Sequence, residues 1–283
     1  MNTISIFAQP PYILRTLRRV SSIIRGEQIA AHMQNARLNP EKGYEHDVCI
    51  YVKPNVKPKD ALDFKFEGHP YLDILDGFEL RHLLNAHPHI PVIVFSELDV
   101  ETMSAYVKNK IIFIPHHHVN FEGFKRERDK ITKVGIIGSP GAFPHVPDEI
   151  RHGLANRGIE LLEFSTFYPR MYVVKFYRSI DVGLVWRPYY QKHYATKPYT
   201  ILANPFKIVN TSAFGVPTIA LDEPPFAEMK DCYIPVSTPE EFLKQLDALR
   251  TSKTLYSDMT QVCLAKAEKY HIETIAKLYQ ELT

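Results

Sequence analysis

The chain alternates apolar runs of strand length with stretches whose apolar residues recur every three or four positions. In its second half the runs KVGIIGS (133–139), IELLEF (159–164), DVGLVW (181–186), VPTIAL (216–221) and CYIPV (232–236) are nearly continuous in Val, Ile and Leu. Runs of that kind suit strands buried on both faces. Between them, PDEIRHGLANRG (147–158), MYVVKFYRSI (171–180) and NPFKIVNTSAFG (204–215) carry helical spacing, with Gly158 and Gly215 as stops. Thr238-Pro239-Glu240-Glu241 predicts a capping box at the start of EEFLKQLDALR, with Thr238 as N-cap and Glu241 reaching back. Two polar helices, around 253–268 and 270–282, follow. Strands and helices in this alternation predict a parallel sheet with helices on both faces, because right-handed crossovers place them there.

The first half shows the same habit with shorter, less regular helices. Its strand candidates are ISIFA (4–8), DVCIYVK (47–53), YLDIL (71–75), PVIVFS (91–96) and IIFIP (111–115). Tyr12 to Arg25 reads as a basic amphipathic helix: Ile13, Leu17, Val20 and Ile24 share one face, and Arg15, Arg18, Ser22 and Arg25 the other. Such a stripe is a candidate for peripheral contact with an anionic membrane, although a core-facing helix has the same pattern. The charged stretch FKRERDKITK (124–133) reads as a connector and divides the chain into domains 1–125 and 126–283. The fold class predicted is α/β, two Rossmann-like domains facing across a cleft. In open α/β sheets ligands bind beyond the carboxyl ends of the strands.

Composition narrows the function classes. Of 283 residues 45% are hydrophobic, enough for two cores, and 34 Lys+Arg against 32 Asp+Glu leave a charge of +2. That surplus does not advertise nucleic acid as the main partner. Three widely separated cysteines, Cys49, Cys232 and Cys263, make neither a disulfide framework nor a metal-ligand pattern, and a cytoplasmic location is expected. No run of 18 apolar residues occurs, so no transmembrane segment is expected.

The segment KIVNTSAFGVPTIA (207–220) is the strongest chemical signal. A helix opening near Asn204-Pro205 presents free N–H groups and a positive dipole end, and Lys207 adds a charge in the first turn, a combination suited to phosphate. Asn210 follows on the same face, with an amide able to hydrogen-bond a sugar hydroxyl. Taken alone, the segment is equally a plain helix–strand corner. Gly138-Ser139-Pro140-Gly141 follows a strand and allows close backbone approach. It matches neither the dinucleotide fingerprint nor a P-loop. Arg187 ends the DVGLVW run with a planar fork suited to a diphosphate, and Lys192 and Lys197 are further cations in the loop after it.

His116-His117-His118 precedes Asn120. Consecutive residues of an extended segment point to opposite sides, and no Cys-x-x-Cys or His-Glu-x-x-His accompanies them, so no metal site is expected. Acid–base candidates in the first domain are Glu97 and Asp99 after PVIVFS, and Asp76 after YLDIL, each equally readable as a helix cap or a solvated acid.

Lys207, a polar residue three positions on, small residues and then Gly-x-Pro before a buried strand together resemble the donor-binding helix of GT-B-fold glycosyltransferases. The order KVGIIGS, IELLEF, DVGLVWRP, KIVNTSAFGVPTIAL, CYIPVSTPEEFLKQL is similar to the C-terminal domain of that family over residues 130–250. The resemblance implies a metal-independent glycosyltransferase that moves a sugar from a nucleotide-diphosphate donor to a hydroxyl acceptor, with no cofactor. Residues 1–125 would face the acceptor and 126–283 would hold the donor. It implies donor contacts from Gly138, Arg187, Lys192, Lys197, Lys207, Asn210, His118 and Asn120, and makes His117, at the border of the donor cleft, a catalytic candidate together with Glu97 and Asp99. Many retaining members carry Glu where this chain has Asn210. The alternative reading is therefore a catalytically silent relative that binds a nucleotide, a glycan or a protein partner.

Overall fold

The computed structural model describes residues 2–9, 12–13, 16–17, 20–54, 66–125, 130–188 and 203–283. They fall into two compact units. The first comprises the described residues of Met1–His117 together with 203–204 and Ile272–Thr283, and the second those of His118–Thr196 together with Pro205–His271. The sequence places its boundary at 125/126 and assigns the whole C-terminus to the second domain, whereas the packing puts Ile272–Thr283 with the first unit.

The first unit is built on a six-stranded sheet, every pairing parallel: β1 (Ile4–Ala8), β4 (Ala36–Leu38), β5 (Val48–Val52), β6 (His69–Asp73), β7 (Val92–Val94) and β8 (Ile111–Phe113), in the order β4-β1-β5-β6-β7-β8. Each apolar run recognised in the sequence supplies a strand, and the short edge strand Ala36–Leu38 is an addition. The helix expected over Tyr12 to Arg25 does not form. Tyr12–Ile13 (β2) and Thr16–Leu17 (β3) pair antiparallel, and helical structure begins only after them, with a π-helical turn over Ser22–Glu27 that runs on into α1 (Gln28–His32). Spacing that satisfies a helix over so short a span also satisfies a hairpin followed by a helix, and strand pairing decides between them.

Arg25, expected on a solvated face, is 1% exposed. Its Nε donates to Asp73 at 2.7 Å, and Nη1 donates to the carbonyls of Ile114 and Pro115 at 2.8 and 2.9 Å. The guanidinium lies 5.4 Å from the ring centre of Tyr279 on the C-terminal helix Ile272–Gln280. A buried charge is tolerated only when paired and hydrogen-bonded, and Asp73 at the end of β6 supplies the pair.

The second unit holds a five-stranded parallel sheet of β9 (Lys133–Gly138), β10 (Glu160–Ser165), β11 (Val182–Val185), β12 (Thr218–Leu221) and β13 (Tyr233–Val236), in the order β10-β9-β11-β12-β13. Alternate side chains enter different cores. Val134, Ile136, Val182, Leu184, Ile219 and Leu221 pack with Ile150, Leu154, Phe242 and Leu246. Ile137 joins Val174, Phe176 and Tyr177, while Val185 and Ala220 meet Ile208, Val209 and Cys263. Both faces are therefore covered, which explains the unbroken apolar runs. At the start of Pro239–Thr251, Thr238 Oγ1 accepts from Glu241 N at 3.1 Å. Glu241 Oε2 accepts from the N–H of Ser237 at 2.6 Å, one residue before the cap itself.

Candidate functional site

The strand order of the second unit reverses direction at β9: the chain passes from β9 to β10 on one side and then back to β11 on the other. Crevices at such switch points, outside the carboxyl ends of the strands, are where open α/β sheets take ligands. Gly138 is the last residue of β9, and Arg187 lies two residues beyond the end of β11. The helix Phe206–Ala213, which carries Lys207, packs close to β11 because Gly183 has no side chain. A Cβ at Gly183 would lie 2.8 Å from Thr211 Cγ2 and 2.9 Å from Thr218 Oγ1. The helix ends at Ala213, and Gly215, with φ +64°, turns the chain into β12.

Lys207 reaches from this helix to the end of β9: its Nζ lies 3.4 Å from where a Cβ on Gly138 would sit. A Cβ at Gly138 would already touch Ala142 Cβ at 3.3 Å and the ammonium at 3.4 Å, so a side chain longer than alanine would fill the corner. Lys207 as a whole is only half-buried, yet its ammonium is sufficiently enclosed to titrate at about 7. Desolvation is the main cause and the charge of Arg187 the second, against the pull of Glu223. Among the described residues, no hydrogen-bond acceptor or ion-pair partner lies against Nζ. Arg187 is held by Glu223, Nε to Oε1 at 2.8 Å and Nη2 to Oε2 at 2.5 Å, and Glu223 is 1% exposed. Burial raises the Glu223 carboxyl, while Arg187 and then Lys207 oppose the rise. The corner is thus one permanent cation, one lysine whose charge changes near neutral pH, and one carboxylate, with the guanidinium plane fixed by its partner.

Glu223 is the residue that sequence reasoning missed. Its signal was the acid pair Asp222-Glu223 directly after the VPTIAL run, at the same sheet edge where Arg187 had been singled out.

Asn210 is placed otherwise than expected. It is 2% exposed, its Oδ1 accepts from Val119 N–H at 2.9 Å, and its Nδ2 donates to the Phe206 carbonyl at 3.0 Å. Its amide ties two backbone segments together, so the groups expected to meet a sugar hydroxyl are engaged by the chain itself. Asn120 is likewise committed to backbone: Nδ2 donates to the carbonyls of Phe124 and Ala213 at 2.9 and 2.8 Å, and Oδ1 accepts from Phe124 N at 2.9 Å. His118 Nδ1 accepts from Asn120 N at 3.2 Å, and its ring stands edge-on to His271 at 5.3 Å. These three residues, expected to touch the donor, instead join the segment after β8 to the second unit's own helices.

His117 is 1% exposed with Nε2 at 3.0 Å from the Ile24 carbonyl. His116 packs edge-on against Phe95 at 5.1 Å, where burial holds its ring well below the ordinary histidine range. Glu97 and Asp99 both lie in the first turn of the helix Glu97–Ser104, capped by Ser96; Glu97 is exposed and Asp99 is fully buried. Asp76 pairs with Lys53 at 2.5 Å on the surface. Lys192 and Lys197 lie outside the described residues. Among the described residues no helix is long and apolar enough to cross a membrane.

No protein-family profile matches the sequence, and no curated protein is significantly similar to it. Solved structures are similar in fold. The Glycosylation Associate Protein (Gap123) complex of Streptococcus agalactiae contains a chain that is 9% identical, matching 85% of this chain and 54% of its own length with a TM-score of 0.55. The complex of accessory secretory proteins 1, 2 and 3 of Streptococcus pneumoniae is similar at 11% identity over 90% of this chain and 56% of the other, TM-score 0.54. The protein spans about half the length of these two chains. The N-terminal domain of Candida albicans trehalose-6-phosphate phosphatase matches 98% of this chain and 95% of its own at 9% identity, TM-score 0.58. The likeness is one of fold, and two Rossmann-like α/β units with these sheets make the fold GT-B-like.

Proposed function

We propose that the second unit binds the diphosphate of a nucleotide sugar at the Lys207–Arg187–Gly138 corner, and that the protein transfers the sugar to a hydroxyl acceptor without a divalent metal. The observation that carries this reading is the convergence of Lys207 and Arg187, 20 residues apart in the chain, at the open end of β9 and β11. A phosphate there gains two cationic donors and meets backbone at Gly138 with no side chain in the way. The same two cations would stabilise the nucleotide diphosphate as it departs, since its negative charge grows while the glycosidic bond breaks. Lys192 and Lys197 remain donor candidates in this proposal. Of the acid–base candidates, exposed Glu97 is the one we propose for the acceptor hydroxyl, because buried Asp99 and His117 offer no surface to it.

Titration calorimetry and thermal-shift measurements with nucleoside diphosphates and their sugars test the proposal. Saturable binding that is lost in Lys207→Ala and weakened in Arg187→Ala supports it. No response from the wild type, or equal responses from the variants, overturns it.

A second reading is favoured by two observations: Glu223 already occupies the Arg187 fork, and the Asn210 amide is used by backbone. On this reading the protein is a silent relative that binds nucleotide, glycan or a protein partner without turnover. Donor hydrolysis and transfer assays at saturating nucleotide sugar separate the two, since tight binding with no product supports the silent form.

A further inference from the structure

We infer that anion binding at this corner is coupled to the capture of a proton by Lys207, so that the site gains a full positive charge only as the phosphate arrives. This rests on the proposed reading of the corner as a phosphate site, and adds its regulation by pH.

The geometry supplies the reason. Arg187 is a permanent cation, and in the unliganded protein its charge is answered by Glu223 through two hydrogen bonds. Lys207 shares the same enclosure with no acceptor against its Nζ among the described residues, so one carboxylate faces two potential cations. Among the described residues, Arg187 and Glu223 set the balance. Arg187 at the end of β11 disfavours a second positive charge, and Glu223 after β12 favours it. Asp222 acts through Glu223, and its own carboxylate accepts the Tyr233 hydroxyl at 2.8 Å. From β9 the contact is Gly138, which carries no charge.

With desolvation added, the ammonium is about half deprotonated at neutral pH. A phosphate arriving at Nζ supplies the missing counter-charge and favours the protonated form. The proton comes from buffer and ends on Lys207, and no bond to the ligand is made or broken. Raising pH leaves Lys207 neutral more of the time and weakens binding, because the proton must then be drawn from a scarcer supply.

Calorimetry with inorganic phosphate, and with the tightest nucleoside diphosphate of a UDP, GDP, ADP and dTDP panel, tests this between pH 8 and 9, where the phosphate groups of both are already largely ionised. Each titration is run in buffers of different ionisation enthalpy. The dependence of observed heat on buffer is expected to approach one proton taken up per ligand at pH 8.5, with affinity falling by up to about tenfold per pH unit. Lys207→Arg, charged throughout the range, is expected to bind with buffer-independent heat and a flat pH profile.

Binding by the wild type with buffer-independent heat overturns the proton step and leaves the phosphate reading standing. The same holds for a Lys207→Arg protein that binds and still takes up a proton, which would assign that proton to Glu223. Absence of binding by either probe at every pH overturns both.

Discussion

Arg187 and Glu223 face each other through two parallel hydrogen bonds of 2.8 and 2.5 Å, joining the end of β11 to the end of β12. Removing the carboxylate leaves the Arg187 guanidinium uncompensated and pushes Lys207 further towards its neutral form. Glu223→Ala is expected to destabilise the protein by about 2–4 kcal/mol, and phosphate or pyrophosphate is expected to recover more melting temperature in the variant than in the wild type. Equal stabilisation of the two proteins by added anion would refute this account of the corner.

Lys207 makes stability depend on pH with a definite sign. Its ordinary value is 10.5 and its folded value about 7, so between those values the unfolded chain binds more protons and stability rises with pH. The cost is complete below pH 7. Lys207→Met is therefore expected to be more stable than the wild type by about 1–3 kcal/mol at pH 6, with the difference shrinking towards pH 10. Denaturant unfolding at several pH values checks this, and a variant less stable than the wild type at pH 6 contradicts it.

Asn210 is expected to act on stability rather than on ligand. Asn210→Ala strands the buried Val119 N–H, while the Phe206 carbonyl keeps its helical partner, costing about 1–3 kcal/mol. Asn210→Asp keeps the acceptor for Val119 but buries a carboxyl against the Phe206 carbonyl, so its loss of stability is expected to grow as pH rises and the group ionises. If nucleotide-sugar affinity fell in Asn210→Ala with no change in urea midpoint, Asn210 would be a ligand contact after all.

The buried pair of the first unit behaves as a unit. Arg25→Met or Asp73→Leu alone leaves an uncompensated charge and is expected to cost about 3–5 kcal/mol, whereas the double variant recovers most of the loss. A double-mutant cycle by denaturant unfolding measures the coupling, and simple additivity of the two single losses would show the pair to be independent.

The central strands were legible because they are buried on both faces, so their apolar runs are written in consecutive residues: KVGIIGS, DVGLVW and VPTIAL became β9, β11 and β12. Gly215 punctuates the corner for an equally local reason, its φ of +64°, whereas the room that Gly183 leaves for Thr211 and Thr218 is set by the packing. Lys207, Arg187 and Gly138 were recognisable because strand ends and helix starts are local features, and a parallel sheet gathers its carboxyl ends on one edge. Glu223 as the answer to Arg187, the commitment of Asn210 to Val119, and the burial of Arg25 against Asp73 belong to the tertiary structure alone. Each joins residues from 36 to 91 positions apart. Whether a polar side chain meets water, a ligand or another part of the chain depends on what the folded backbone brings against it, and no spacing within one segment records that.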